Sequence, residues 1–530
     1  MLSRLRVWTS VAACLSIVAA ARVPAAQPPE PFPLEEATAA QLQAWMTSGR
    51  YTARQIAELY LQRIEALDRR GPALRAMIQI NPDALTIASQ LDAERKARGP
   101  RGPLHGIPIV IKDNIGTADR MMTTAGSLAL EGSIAPRDAF VVERLRAAGV
   151  VILGKTNLSE WANYRSTHAT SGWSGRGGLV KNPYVLDRNA CGSSSGTGAA
   201  VSANFAAIGV GTETDGSIVC PSATNGLVGI KPTVGLVSRS GIVPISHTQD
   251  TAGPMARTVA DAALLLTAMT GVDARDPATK GSARHAGIDY TAALHADALK
   301  GARIGVARQQ YFGYSDATDR VIERAIADMK AAGAVIVDPA DIPTAAKMDA
   351  CENVVLQFEF KADLDAYLAG LGPGAPVHTL ADVIAFDERE RAREMPYFGQ
   401  ELFIAAEKRG PLTSPTYRRA LATCRVRART QGIDAVMQQH RLDALVAPTG
   451  GPAWTTDLIN GDHFTGASST PAAVAGYPSI TVPAGDVFGL PVGLSFIGRA
   501  WSEPKLIALA YAYEQATRHR QPPQFKPDAP

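Results

Sequence analysis

Two serine-bearing stretches hold the residue types for acyl-transfer chemistry. The first, CGSSSGTG at 191–198, sets three serines between glycines, with no histidine, aspartate or metal-binding pattern beside them. The second, GVGTETDGSIVCPS at 209–222, places Ser217 at the end of a turn of short side chains flanked by Gly211 and Gly216. Backbone N–H groups in such a turn can point at one spot, which is how main chain builds an oxyanion hole. The segment GSSSG at 192–196 also fits the nucleophile elbow G-x-S-x-G with Ser194 at its centre. That mechanism needs an acid and then a histidine downstream. His247, His285, His378 and His463 are available, yet none stands in a stretch that marks it as a base. GVVILGKT at 149–156 matches the P-loop expression, but Val150 to Leu153 read as a buried strand where a phosphate cradle needs a loop. The one Ser-x-x-Lys, SEPK at 502–505, contains a proline and lies near the C-terminus.

The elements that must position these residues alternate. Residues 35–91 carry apolar residues at helical spacing, IPIVIKDNI at 107–115 is a β-branched run, and AFVVERLRAAGVVILGKTN reads as helix, glycine turn and strand. The pattern continues through ARIGVARQQ, VIERAIADMKAAGAVIVDP and LDALVAPT. It predicts an α/β protein: one large domain whose mixed, mostly parallel central sheet is covered by helices. Between the serine segments, AAVSANFAAIGV is small and apolar, suited to a helix and strand that pack closely.

Composition limits the partners. The 530 residues are 46% hydrophobic, and 53 Lys+Arg against 50 Asp+Glu give a net charge of +3 without a run of five like charges. A nucleic-acid partner is not expected. Arg4 and Arg6 precede the apolar run VWTSVAACLSIVAAA and then RVPAA, the layout of a secretory signal peptide. Residues 1–25 are read as that signal and 26–530 as the domain, with Ala21 as a second cut; lipid anchoring at Cys14 is the competing processing. About 15 apolar residues fall short of the roughly 20 that span a bilayer, so no stable membrane insertion is expected. Cys191, Cys220, Cys351 and Cys424 are far apart and form no CxxC pair. At this density no disulfide should be needed to hold the fold.

Taken together, GPLHGIPIVIKDNI (102–115), CGSSSGTGAAV (191–201), GTETDGSIVCPSATNGLVGIKPTVGLVSRSGIVP (211–244), DTAGPMARTVADAALLL (250–266), AGYPSITVPAG and LPVGLSFIG (475–498) resemble the amidase signature family. The resemblance covers nearly the whole mature chain. It implies a triad of Lys112, Ser193 held by a cis peptide bond, and the nucleophile Ser217. It implies an oxyanion hole from the backbone N–H groups of Thr214, Asp215, Gly216 and Ser217, with no cofactor and no metal. The chemistry is sound on its own terms. A serine hydroxyl is a weak nucleophile until a base takes its proton, and lysine can do so only when neutral. Burial among Ile109, Val110 and Ile111 would lower its pKa.

There are departures from the family pattern. Cys191-Gly192 stands where many members have Gly-Gly, and Asp215 where many have glycine. These forms, with EFKADLDAYL (359–368) and MPYFGQELF (395–403), look like the bacterial peptide amidase branch. The expected reaction is hydrolysis of a carboxamide to carboxylate and ammonia in an exported, periplasmic or secreted enzyme. The expected substrate is the C-terminal amide of a short peptide, with Phe358, Tyr397, Phe398 and Gln400 as candidates to hold the acyl side and a place in the core as the equal alternative for Phe358 and Phe398. The alternatives are a general small-amide amidase, a non-catalytic binding protein and an amidotransferase A-type subunit.

Overall fold

A computed structural model describes residues 32–529. The expected signal segment, its cut sites and Cys14 lie outside the described residues. The β-branched run at 107–115 forms β2 (Pro108–Lys112), which follows β1 (Met77–Ile80) and precedes β3 (Val151–Thr156). A small hairpin, β4 (Trp173–Ser174) and β5 (Gly178–Leu179), comes before β6 (Ile208–Glu213), β7 (Val228–Lys231) and β8 (Thr251–Ala256). Then come β9 (Arg303–Val306), β10 (Val335–Val337), β11 (Ala444–Pro448), β12 (Ser479–Val487) and β13 (Leu490–Ile497).

All but the hairpin join one 11-stranded sheet in the order β1-β3-β2-β6-β8-β7-β12-β13-β11-β9-β10. β3, β2 and β6 run parallel, as do β11, β9 and β10; the strands between them, and β1 on β3, pair antiparallel. This is the mixed α/β sheet covered by helices that the sequence predicts. The described residues from Glu36 onward pack as one unit.

The parallel block β3-β2-β6 is buried at every residue, as strands covered on both faces must be. The helix Ser195–Ser202 packs on it, and all eight of its small residues are buried. The false phosphate loop is resolved here as well. Val151–Thr156 is strand, and Lys155 Nζ donates to Ile115 O (2.5 Å) and Thr123 Oγ1 (3.0 Å) inside the protein.

The cysteines form two pairs that their spacing does not show. Cys191 bonds to Cys220, and Cys351 to Cys424, across sequence separations of 29 and 73 residues. Distance along the chain hid both pairs, because each joins segments that only the folded sheet brings together. Cys351, at the start of the helix Asp349–Ala369, and Cys424, in the helix Pro415–Ala428, lie in an apolar cluster with Phe358 and Tyr417. Closing a loop of this length in the unfolded chain is worth about 4 kcal/mol. Replacing Cys351 and Cys424 by serine should therefore move the urea midpoint down by a comparable stability; an unchanged midpoint would assign this bond no share in stability.

Candidate active site

Lys112 is the last residue of β2, Ser193 leads into the helix Ser195–Ser202, and Ser217 closes the turn after β6. The fold therefore brings Lys112 into contact with Ser193, 81 positions on, and the main chain of Ser217 to that of Ser194, 23 positions before it (193 minus 112, 217 minus 194). Lys112 Nζ lies 2.7 Å from Ser193 Oγ, 2.9 Å from Thr212 Oγ1 and 3.3 Å from Thr212 O. Both Lys112 and Ser193 are fully buried. Asn114 Nδ2 donates to Thr212 Oγ1 at 3.0 Å, which orients that hydroxyl.

Burial pushes the Lys112 amine down to about 7, against the opposing pull of Asp250 and Glu213. A neutral amine has two N–H donors and one lone pair. Its three neighbours fit that count, with Thr212 O and Oγ1 accepting and the Ser193 hydroxyl donating to the lone pair. Lys155 and Lys231 are also fully buried, and burial lowers each to about 8. Their amines reach only other partners: Lys231 donates to Tyr477 O at 2.5 Å. A lowered pKa alone does not distinguish the three lysines, whereas of the three only Lys112 contacts a serine hydroxyl.

The peptide bond Gly192–Ser193 is cis. A Cβ on residue 192 would overlap Ser159 Oγ and lie 3.2 Å from Ser171 Cβ, so only glycine fits there. A hydrogen bond and a disulfide join the serine segments near Ser217. Ser194 N–H donates to Ser217 O at 3.2 Å, and the Cys191–Cys220 disulfide spans them covalently. Ser194 is thereby removed as a nucleophile. It is fully buried, its Oγ donates to Thr212 O (3.1 Å) and accepts from Thr212 N–H (3.2 Å), and no histidine stands near it in that network.

After β6 the chain turns through Gly216, whose φ of +79° is open to glycine at little cost. Glu213 Oε2 accepts from Ile218 N–H (2.7 Å) and Val219 N–H (3.0 Å), satisfying the start of the helix Val219–Thr224. Thr214 Oγ1 donates to Asp250 Oδ1 at 2.6 Å. The N–H groups of Thr214, Asp215, Gly216 and Ser217 donate to no acceptor among the described residues. Those four residues line a cavity of about 340 Å³. Ser217 is 9% exposed and faces it. Four unused donors beside a serine, on the wall of a cavity, can bind a developing oxyanion.

The residues expected to hold the acyl side are placed elsewhere. Phe358 packs on Tyr417 in the core, Phe398 sits edge-on to Trp173, Tyr397 is largely exposed, and Gln400 Nε2 donates to Ile384 O at 3.1 Å. None of the four lines the Ser217 cavity. Helical spacing identified helices there but not which face the site would use. Aromatic and polar surface comes instead from Asn163, Tyr164, Trp454 and Phe464. Trp454 and Phe464 had a readable signal, large aromatics in the glycine- and aspartate-rich loop 450–467. Asn163 and Tyr164 had none. The four candidate histidines are absent from this cavity too: His247, for one, bonds Asp363 at 2.9 Å and lines a neighbouring cavity of about 370 Å³.

A mixed α/β sheet that presents a buried lysine, a buried serine and a second serine beside unused backbone donors defines a serine-dependent acyl-transfer protein. The Amidase family profile matches residues 55–507, and the chain belongs to that family. It is a hydrolase acting on amide C–N bonds. A probable amidase of Arabidopsis thaliana is 43% identical over 503 residues, covering 93% of this chain and 92% of that one. The X-ray structure of native peptide amidase from Stenotrophomonas maltophilia is 53% identical with a TM-score of 0.90, covering 93% of this chain and all of that one. The A-type subunit of the glutamyl-tRNA(Gln) amidotransferase of Symbiobacterium thermophilum is 35% identical over 497 residues, covering 91% of this chain and 97% of that protein.

If Lys112 is the base, kcat/KM should rise with pH through an apparent pKa of about 7 and level off above it, because only the neutral amine accepts a proton. Lys112→Ala should lower kcat/KM at least about 10²-fold; a wild-type rate at neutral pH would exclude Lys112. Stability moves the same way with pH. The folded-state value lies below the ordinary 10.5, so the unfolded chain binds the extra proton between about 7 and 10.5, and burial of Lys112 costs more as pH falls through that window. Lys112→Met should accordingly raise the melting temperature more at pH 6 than at pH 10, as calorimetry can read.

Proposed function

We propose that this chain removes the C-terminal carboxamide of short peptides as ammonia, using Ser217 as nucleophile, Ser193 as proton relay and Lys112 as base. The observation that carries the reading is the 2.7 Å contact of Lys112 Nζ with Ser193 Oγ, beside the turn of unused N–H groups that ends at Ser217. The substrate class is taken from the peptide amidase structures, one of which holds the competitive inhibitor chymostatin and reaches a TM-score of 0.91 at 53% identity. The amidotransferase relatives stand further off in identity.

In the proposed cycle Ser217 Oγ attacks the carboxamide carbon while its proton passes to Ser193, whose own proton passes to Lys112 Nζ. The carbonyl oxygen takes the charge and is held by the N–H groups of Thr214, Asp215, Gly216 and Ser217. Collapse breaks the C–N bond, and the proton returns through Ser193 to the nitrogen, which leaves as ammonia. Water then attacks acyl-Ser217, gives its proton to the same relay, and the carboxylate leaves as Ser217 is reprotonated. No histidine takes part.

Export is part of the proposal. It rests on the reading of residues 1–25 as a signal peptide, and two disulfides within one chain suit an oxidising compartment.

The test is to offer N-blocked peptide amides, the matching free-acid peptides and acetamide-sized amides, and to measure ammonia and new amines. Ammonia from the peptide amides, and no new amines, is expected. Fast turnover of small amides with none of peptide amides would replace the reading with a general small-amide amidase, and new N-termini would make it a peptidase. Ser217→Ala should abolish acyl-enzyme formation by mass spectrometry; persistent acylation would place the nucleophile elsewhere.

A further inference from the structure

Three polar side-chain atoms around the Ser217 cavity stand without a hydrogen-bond partner among the described residues. Tyr164 is 8% exposed, and its Oη is buried and unpartnered. Asn163 Oδ1 and Asp215 Oδ1 are buried and unpartnered too. All three residues line the cavity. Asp462, which also lines it, contrasts with them: it accepts from Ser171 N–H (3.0 Å), Ser171 Oγ (2.5 Å) and Trp454 Nε1 (3.2 Å). Buried polar groups are nearly always paired, so three orphans on one cavity wall call for an explanation.

Their placement is built, not incidental. Trp161, Ala162 and Asn163 have φ of 49°, 53° and 72°, a left-handed turn made without glycine. Such a turn persists only where its surroundings hold it. Here Trp161 N–H donates to Ala125 O (2.9 Å) and Tyr164 N–H to Trp161 O (3.1 Å). Trp161 packs edge-on to Phe403, and the Tyr164 ring leans on Phe360 at 4.8 Å. Glu160 and Arg165, on either side of the turn, form a buried ion pair at 2.5 Å. Across the cavity, Thr470 Oγ1 donates to Asp215 Oδ2 at 2.7 Å, which fixes that carboxylate and leaves Oδ1 unused.

The orphans offer two acceptors, Asn163 Oδ1 and Asp215 Oδ1, and one hydroxyl that can donate, Tyr164 Oη. Among the described residues no lysine or arginine lines the cavity, so nothing there would neutralise a substrate carboxylate. A neutral group with one N–H and one C=O, the secondary amide of a peptide backbone, meets both needs. We infer that Asn163, Tyr164 and Asp215 form a specificity subsite for the backbone amide preceding the scissile carboxamide, its N–H going to the side-chain acceptors and its C=O accepting from Tyr164 Oη. This rests on the peptide-amide reading and names the residues that enforce it.

The test compares N-acetyl-leucinamide with 4-methylpentanamide, the same skeleton without the acetamido group, on the full chain. Wild type should prefer the first. Tyr164→Phe, which removes one oxygen, should lower the ratio of the two kcat/KM values about tenfold, chiefly through KM on N-acetyl-leucinamide, and Asp215→Asn should lower it as well. Circular dichroism of each variant reports its fold. A wild type that prefers 4-methylpentanamide overturns the peptide-amide reading and the subsite with it. A wild type with the expected preference, whose ratio is unmoved by Tyr164→Phe, overturns the subsite alone.

Discussion

Burying the amine of Lys112 between β3 and β6 sets the conditions that the rest of the site meets. A charged ammonium there would have to give up its hydration with no carboxylate of the described residues in contact, which is costly enough that the group loses its proton instead. The nearest acids keep their distance. Glu213 is occupied with the N–H groups of Ile218 and Val219, and Asp250 with Thr214, Ile245 and Ser246. Burial raises the pKa of both carboxyls, Asp250 to about 6, and neither is in hydrogen-bond contact with the amine. A carboxylate in direct contact with Nζ would restore the ammonium and end its use as a base.

A neutral base is of use only if the hydroxyls stay in line with it, and the main chain provides for that. The serine triplet divides its work among neighbours: Ser193 faces Lys112, Ser194 is stitched to both atoms of the Thr212 backbone, and its N–H holds the carbonyl of Ser217. The Cys191–Cys220 bond closes a ring that contains both Ser193 and Ser217. Motion of the β6 turn relative to the triplet is therefore limited by covalent connection as well as by hydrogen bonds.

Much of this was legible in the sequence, and the limits have physical causes. The roles of Lys112, Ser193 and Ser217 came from the resemblance to the amidase signature family, and the structure brings Lys112 and Ser193 into contact; the glycine-rich turns and the β-branched strand that carry them were readable because they constrain the backbone locally. The reading of GVVILGKT as a strand held for the same reason: four consecutive large apolar residues cannot form an exposed loop. What failed was through-space information. The disulfides join segments 29 and 73 residues apart, and Phe358 and Phe398 are aromatic residues whose pattern is the same whether they face a cavity or the core. The left-handed turn at 161–163 contains no glycine or proline to announce it, since tertiary contacts impose it.

Lys112 and Ser193 do not line the cavity that Ser217 opens onto, whereas Thr214, Asp215, Gly216 and Ser217 do. The buried amine of Lys112 thus stands back from the cavity wall. Trp454, Phe464 and Tyr164 line that wall and make no hydrogen bond to the amine, whose partners are Ser193 and Thr212. A lineage built on this plan can change what it cuts by substitution on one wall while inheriting its acid–base chemistry intact, so substrate range and catalytic competence are free to evolve separately.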